Sequence, residues 1–374
     1  MTRAIRIGRI FGIDIEVDYT WFIIFAIVVI GLSSGWFAQL LPNVAPGLRW
    51  LIAGLTTLLF FASVLLHELS HSVVALRSGL RISGITLFLF GGVSKMTEEP
   101  KSPGVEFRMA IAGPAMSLLL AAIFLGASFF VRPLAGGDIF HTVFRWLGIV
   151  NGMLAVFNLL PGFPLDGGRV LRAGLWHSTG SLGDATRIAS TFGQGIGVFM
   201  IVGGIFWFFT TGIFSGLWLA FIGWFLTQAA HQSYQQMILR QALSGVPVSS
   251  VMTQEVETVP PDITLDRVVN EHIMTHNHPA FPVVDGPQVL GLLCLGDVRA
   301  VPRENWPRVT AREAAPALSE HNTIAPGTDA WDALIRMSTE NCGRLVVVEN
   351  GSLLGIVSRT DIMRLMRHRL QLGI

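Results

Sequence analysis

Between Trp50 and Leu76 runs a long apolar stretch interrupted by three ionisable residues, His67, Glu68 and His71. Little else in the chain limits its fold so sharply. A charged group held in hydrocarbon costs on the order of 3 kcal/mol by insertion scales, so a span does not carry such groups without a compensating partner. Histidines four residues apart share one face of a helix, one turn apart, and their ring nitrogens can converge on one ion. Glu68 sits beside that face, within reach of a metal-activated water. Two histidines with the glutamate as general base is the chemistry of zinc hydrolases of the His-Glu-x-x-His type. A buried polar network without metal is the alternative.

Catalytic zinc needs a third protein ligand and one open position. The best candidate is Asp166, in Asn158-Leu-Leu-Pro-Gly-Phe-Pro-Leu-Asp166-Gly-Gly-Arg169. Two prolines and a Gly-Gly pair break a helix there, and broken backbone at membrane depth occurs where it lines a site. Asp166 also reads as a helix cap or as part of an Asp-Gly turn.

Half of the residues (51%) are hydrophobic and only 14% are charged, which is too apolar for an ordinary soluble domain. The apolar residues gather in six expected spans: 21–41, 50–76, 110–131, 143–160, 188–209 and 213–230. With the N-terminus in the cytosol, eleven Lys or Arg residues fall on the cytosolic side: Arg3, Arg6, Arg9, Arg77, Arg81, Lys95, Lys101, Arg108, Arg169, Arg172 and Arg187. Three fall outside, Arg49, Arg132 and Arg145. That bias satisfies the positive-inside rule and puts both termini in the cytosol. The first eighteen residues alternate and read as a strand or hairpin, not a cleavable signal. The segment 81–95 alternates too, contains Gly91-Gly92, and reads as strands near the membrane surface. Net charge is +1 and there are two cysteines, Cys294 and Cys342; neither a nucleic-acid partner nor a disulfide framework is expected.

After Gln228 the composition becomes polar. Residues 231–245 read as a linker whose helix is closed by Ser244-Gly245, and an internal repeat follows. Gly291-Leu-Leu-Cys-Leu-Gly-Asp297 aligns with Gly355-Ile-Val-Ser-Arg-Thr-Asp361 at a shift of 64 residues, the mark of a duplicated strand-helix-strand-strand-helix module. The expected division is 1–230, a 231–245 linker, and repeats at 246–302 and 303–374. His272, His276 and His278 suggest a metal site, but surface or capping roles fit better.

The motif His67-Glu68-Leu-Ser-His71 in a span, followed by Asn158 to Arg169, resembles the site-2 protease family of intramembrane zinc metalloproteases. The type with C-terminal tandem CBS repeats, which this chain resembles, includes the sporulation sigma-factor processing protease. The resemblance implies a polytopic α-helical membrane protein of about six spans with small membrane-surface β segments and a C-terminal α+β tandem CBS domain. It implies one zinc held by His67, His71 and Asp166, with Glu68 catalytic. Asn158 would assist the oxyanion, although a helix–helix hydrogen bond is its other reading. The Gly91-Gly92 strand would hold substrate by strand addition. Ala112-Gly113-Pro114-Ala115 also matches. Ser117 stands where members often carry Asn, so no role is carried over to it. There is no PDZ-like insertion.

In the CBS pair the resemblance implies a nucleotide signature. Gly355-Ile-Val-Ser358-Arg-Thr-Asp361 fits it, with Asp361 accepting from ribose hydroxyls and Ser358 facing the phosphates. The first repeat keeps Asp297 but has Cys294 at the hydroxyl position. Packing and dimerisation without nucleotide is the alternative. The function so implied is an endopeptidase of the cell membrane that cleaves transmembrane segments of tethered regulators or signal-peptide remnants. Adenine nucleotide, ATP or AMP, would modulate it, and it could form homo-oligomers through the CBS pair. A CBS-regulated transporter or channel is the competing reading, since broken helices line pores too; an inactive scaffold is a third.

Overall fold

A computed structural model describes residues 4–89, 91–96, 99–133, 136–276, 278–340 and 342–372. The chain divides into two compact units, Met1–Gln235 and Gln236–Ile374.

In the first unit a β-hairpin, β1 (Ile5–Ile10) and β2 (Ile13–Val17), precedes α1 (Tyr19–Leu40), which widens through a π turn at Leu32–Trp36. Next come α2 (Pro46–Arg77), strands β3 (Ile82–Phe88) and β4 (Gly91–Met96), α3 (Pro103–Val131) and α4 (Gly137–Asn158). A short helix, α5 (Asp166–Thr179), leads to α6 (Leu182–Thr211) and α7 (Ser215–Leu243). Five of these, α1 to α4 and α6, are long and apolar enough to cross a membrane. With most of their large apolar side chains turned outward, as in Phe129, Phe199 and Phe209 at 77 to 79% exposed, they suit lipid rather than water.

The sixth expected span lies in α7, which is not among these five. Residues 231–242, expected as a polar linker helix, are helical and continue the preceding span: α7 runs unbroken from Ser215 to Leu243, and the division between the units falls inside it. Polarity changes along it, but no Gly or Pro interrupts residues 224–243, and Gln, His and Arg are compatible with a helix. The helix ends where Gly245 takes a positive φ of 76°.

The four strands form one sheet in the order β1-β2-β3-β4, with β2 and β3 parallel and the other pairs antiparallel. Ile13, Ile15 and Ile85 on one face of this sheet pack with Leu69 of α2. This fixes β4, the last strand, beside the helix that carries His67, Glu68 and His71. Gly91 and Gly92 begin β4.

In the second unit the shift of 64 residues reappears in the strand register. β5 (Ala280–Asp285) pairs with β6 (Gln288–Cys294), placing Val283 opposite Gly291 with a bulge at Val283/Val284. Then β8 (Arg344–Glu349) pairs with β9 (Ser352–Ser358), placing Val347 opposite Gly355 with a bulge at Val347/Val348. The expected first strand differs between the repeats. In the second it is β7 (Thr323–Ile324), parallel to β8; in the first it shrinks to the single bridge Val259–Val283. Each repeat has its own apolar cluster, one around Leu265, Phe281 and Leu293, the other around Met337, Leu345 and Val357.

Candidate metal centre

His67 and His71 lie one turn apart on α2, 3% and 7% exposed, with their Nε2 atoms 3.2 Å apart. Asp166 is the first residue of α5, where a carboxylate is favoured by the helix dipole. Its Oδ2 lies 3.1 Å from His67 Nε2 and 3.2 Å from His71 Nε2. The three atoms form a nearly equilateral triangle. Ligands about 2.0–2.1 Å from a tetrahedral zinc stand roughly 3.3 Å from one another, so the triangle has the right size.

The partner of its outer nitrogen shows which nitrogen of His71 carries a proton. His71 Nδ1 lies 2.7 Å from the backbone carbonyl of Met109. A carbonyl can only accept, so this nitrogen carries a proton, and in a neutral ring Nε2 presents a lone pair to the centre of the triangle. His67 Nδ1 is 2.9 Å from the hydroxyl of Ser117, which is fully buried. With the serine accepting from His67 Nδ1–H, two neutral rings would place lone pairs beside a carboxylate oxygen, an arrangement that a cation resolves. Among the described residues this is the one group of three potential ligands gathered within metal-binding distance.

Helix α3 presses its backbone against the centre. A Cβ built on Gly113 would lie 2.6 Å from His67 Nε2 and from His71 Cε1, so no other residue fits without moving an imidazole. Strand β4 does the same to the glutamate. A Cβ on Gly92 would lie 3.1 Å from Glu68 Cδ and closer still to its Cγ. Glu68 is thus held half-buried between α2 and β4, next in sequence to one prospective ligand. Gly91 itself has φ 129°, a region that favours glycine.

The segment before Asp166 is anchored from the other side. Phe163 N–H donates to Ala189 O of α6 at 3.1 Å. Asn158 is the last residue of α4, half-buried, and its amide makes no side-chain hydrogen bond among the described residues; the helix–helix bond considered for it is therefore not formed there. Sequence reasoning assigned nothing to Ser117 or Met109. Ser117 had a visible signal, a small polar residue one turn beyond Gly113 in an apolar helix. Met109 had none, because it contributes only its carbonyl. Arg172, counted as a loop charge in the positive-inside tally, is 5% exposed and bonded to the fully buried Glu106.

In the second unit, Ser358 and Asp361 line a cavity of about 650 Å³ together with Glu255, His278, Arg344 and Thr360. Both Asp361 and Asp297 also act locally. Asp361 Oδ2 accepts from Ser358 N–H at 3.1 Å and Ser358 Oγ at 2.5 Å. Asp297 Oδ2 accepts from Cys294 N–H at 2.8 Å. Each caps the helix that follows its repeat's hairpin: α8 (Leu295–Ala300) for Asp297 and α9 (Arg359–Leu372) for Asp361. Asp297 is not among the residues lining the cavity. His272 bonds Glu257 at 2.6 Å, His278 lines the cavity, and the side chain of His276 lies outside the described residues.

Comparison with known proteins follows the same division. The pattern of peptidase family M50 matches residues 55–133 and 133–204, and that of the CBS domain matches 248–304 and 313–368. Over 371 residues the chain is 34% identical to Rip3 of Mycobacterium tuberculosis, covering 98% of this chain and 93% of that one. It is 32% identical to the zinc metalloprotease MJ0392 of Methanocaldococcus jannaschii, covering 98% and 97%. Among solved structures, a site-2 protease from Methanocaldococcus jannaschii is 33% identical, covering 62% of this chain and 95% of that one, with a TM-score of 0.46.

Proposed function

The chain belongs to peptidase family M50, the site-2 protease group of zinc metalloproteases, and ends in a tandem CBS pair; from that premise we propose that it is a multi-pass membrane endopeptidase that cleaves transmembrane segments of membrane-tethered proteins. The observation that carries this reading is the triangle of His67 Nε2, His71 Nε2 and Asp166 Oδ2, 3.1 to 3.2 Å on a side, among helices apolar enough to span a bilayer.

His67, His71 and Asp166 would hold the zinc. When bound, zinc supplies a Lewis acid for the scissile carbonyl and brings the pKa of a water to about 7. Glu68 takes the proton of the attacking water and delivers it to the leaving amine nitrogen. Gly92 holds the Glu68 side chain at the sheet edge, and the buried partners of the two imidazoles fix which nitrogen faces inward. Asn158, whose amide has no side-chain hydrogen bond among the described residues, donates to the developing oxyanion. A helical peptide bond is shielded by its own hydrogen bonds, so the substrate must first become extended. Among the described residues β4 pairs with β3 alone and is the last strand of its sheet, so an unwound segment can add along its other edge through Gly91 and Gly92. Substrates of this class include tethered sigma or anti-sigma factors and signal-peptide remnants. The distribution of Lys and Arg supports cytosolic termini. At the CBS pair, the cavity containing Ser358 and Asp361 is large enough for an adenine nucleotide, ATP or AMP, as a regulatory ligand.

The test uses purified chain in proteoliposomes with single-span peptides whose helices contain Gly or Asn near the cytosolic end. Wild-type protein with zinc is expected to cleave them within the span. Glu68→Gln is expected to keep its zinc and lose cleavage to the level of the metal-free control. Turnover by Glu68→Gln clearly above that control contradicts the assignment.

A further inference from the structure

The proposed mechanism leaves unused a buried ion pair about two helical turns from the metal centre. Glu106 of α3 is fully buried and Arg172 of α5 is 5% exposed. Arg172 Nε donates to Glu106 Oε1 at 2.7 Å, and a second guanidinium nitrogen donates to the same oxygen. The guanidinium also lies over the ring of Phe163, 4.9 Å from its centroid, in the loop that leads into Asp166. Glu106 Oε2 is buried without a hydrogen-bond partner among the described residues. Replacing such a pair by apolar groups is often neutral or stabilising, so stability alone does not account for it.

Its placement supplies a reason. α3 meets the metal centre at Gly113 and Met109, and α5 meets it at Asp166. Glu106 lies seven residues before Gly113; Arg172 lies six residues after Asp166. The two helices therefore run antiparallel and are tied at two levels, through the histidines of α2 at one and directly by the ion pair at the other, about 10.5 Å apart along α3 and about 9 Å apart along α5. One contact alone would let α5 slide or rotate on α3. Two contacts at matched spacing fix both. The remaining route around the ring is covalent or hydrogen-bonded: Asp166 to His71, His71 to Met109, Met109 along α3 to Glu106, Glu106 to Arg172, and Arg172 along α5 back to Asp166.

We propose that the Glu106–Arg172 pair is a positioning clamp that sets the register of α5 on α3 and so holds the Asp166 carboxylate at the His67–His71 pair. The inference rests on reading those three residues as metal ligands. An apolar pair could fill the same volume, but it lacks the directional bonds that specify one register.

The experiment compares wild type, Arg172→Lys and the double variant Glu106→Leu/Arg172→Met in detergent, each as the full chain. Zinc affinity is measured by chelator competition, coordination geometry by the visible absorption of bound cobalt(II), and folding by thermal unfolding. Both variants are expected to bind zinc at least about tenfold more weakly, as when groups supporting metal ligands are removed, and to give an altered cobalt spectrum, with the double variant unfolding no earlier than wild type. Wild-type affinity with an unchanged cobalt spectrum in Arg172→Lys, or in a folded double variant, overturns the clamp. Absence of zinc binding by wild type in the same assay would instead overturn the reading of the metal centre itself.

Discussion

The hydroxyl of Ser117 lies 2.9 Å from His67 Nδ1, in a position with no solvent exposure. Two consequences follow from this contact. It orients the ring, and when the hydroxyl accepts from Nδ1–H it leaves Nε2 free for a metal. Ser117→Ala removes the partner and leaves the ring nitrogen buried without one. Zinc affinity is expected to fall about 10- to 100-fold, measured by chelator competition, with catalysis restored at saturating zinc. An unchanged affinity would mean that the serine only fills space.

Two glycines that touch the centre should fail in different ways. A side chain at Gly113 meets the imidazoles, so Gly113→Ala is expected to lose zinc and activity together. A side chain at Gly92 meets Glu68, so Gly92→Ala is expected to keep zinc and lose turnover by about 10²-fold or more, within the range general-base catalysis contributes. Metal content and turnover measured side by side separate the two. If both variants lost metal equally, Gly92 would be supporting the ligands and not the base.

In the polar unit, burial pushes the Cys294 thiol up to about 11, with the nearby Asp297 carboxylate adding to the effect. Burial raises Cys342 as well. The protonated thiol is the unreactive form, so a raised pKa means less thiolate at any pH below it. At pH 8 the native chain is expected to react with iodoacetamide about a hundredfold more slowly at Cys294 than an ordinary thiol does. Unfolding in guanidinium should restore the ordinary rate. Rapid labelling of Cys294 in folded protein would contradict its burial beside Asp297.

What could be read from the sequence depended on how local the signal was. The pair His67 and His71 is a one-turn spacing, and Asp166 sits in a stretch whose prolines and glycines announce a break. The repeat in the polar unit was legible because a fixed shift carries register with it, down to the bulges at Val283/Val284 and Val347/Val348. The contacts that hold the centre were not legible in this way. Met109 acts through a carbonyl that every residue has. Glu106 and Arg172 are 66 residues apart, and near the end of a span an arginine reads first as a topological charge. The short helix α5 was hidden by the loop residues that precede it, and the length of α7 by a change in polarity that is not a change in backbone preference.

The central claim is that His67, His71 and Asp166 together hold one zinc. The most direct measurement is the metal content, by mass spectrometry, of full-length chain purified in detergent without added metal, alongside Asp166→Ala. The account predicts about one zinc per wild-type chain, as for a catalytic site with three protein ligands, and its loss or marked weakening in the variant. Well-folded wild-type protein that carries no zinc and takes up none when it is added would contradict it.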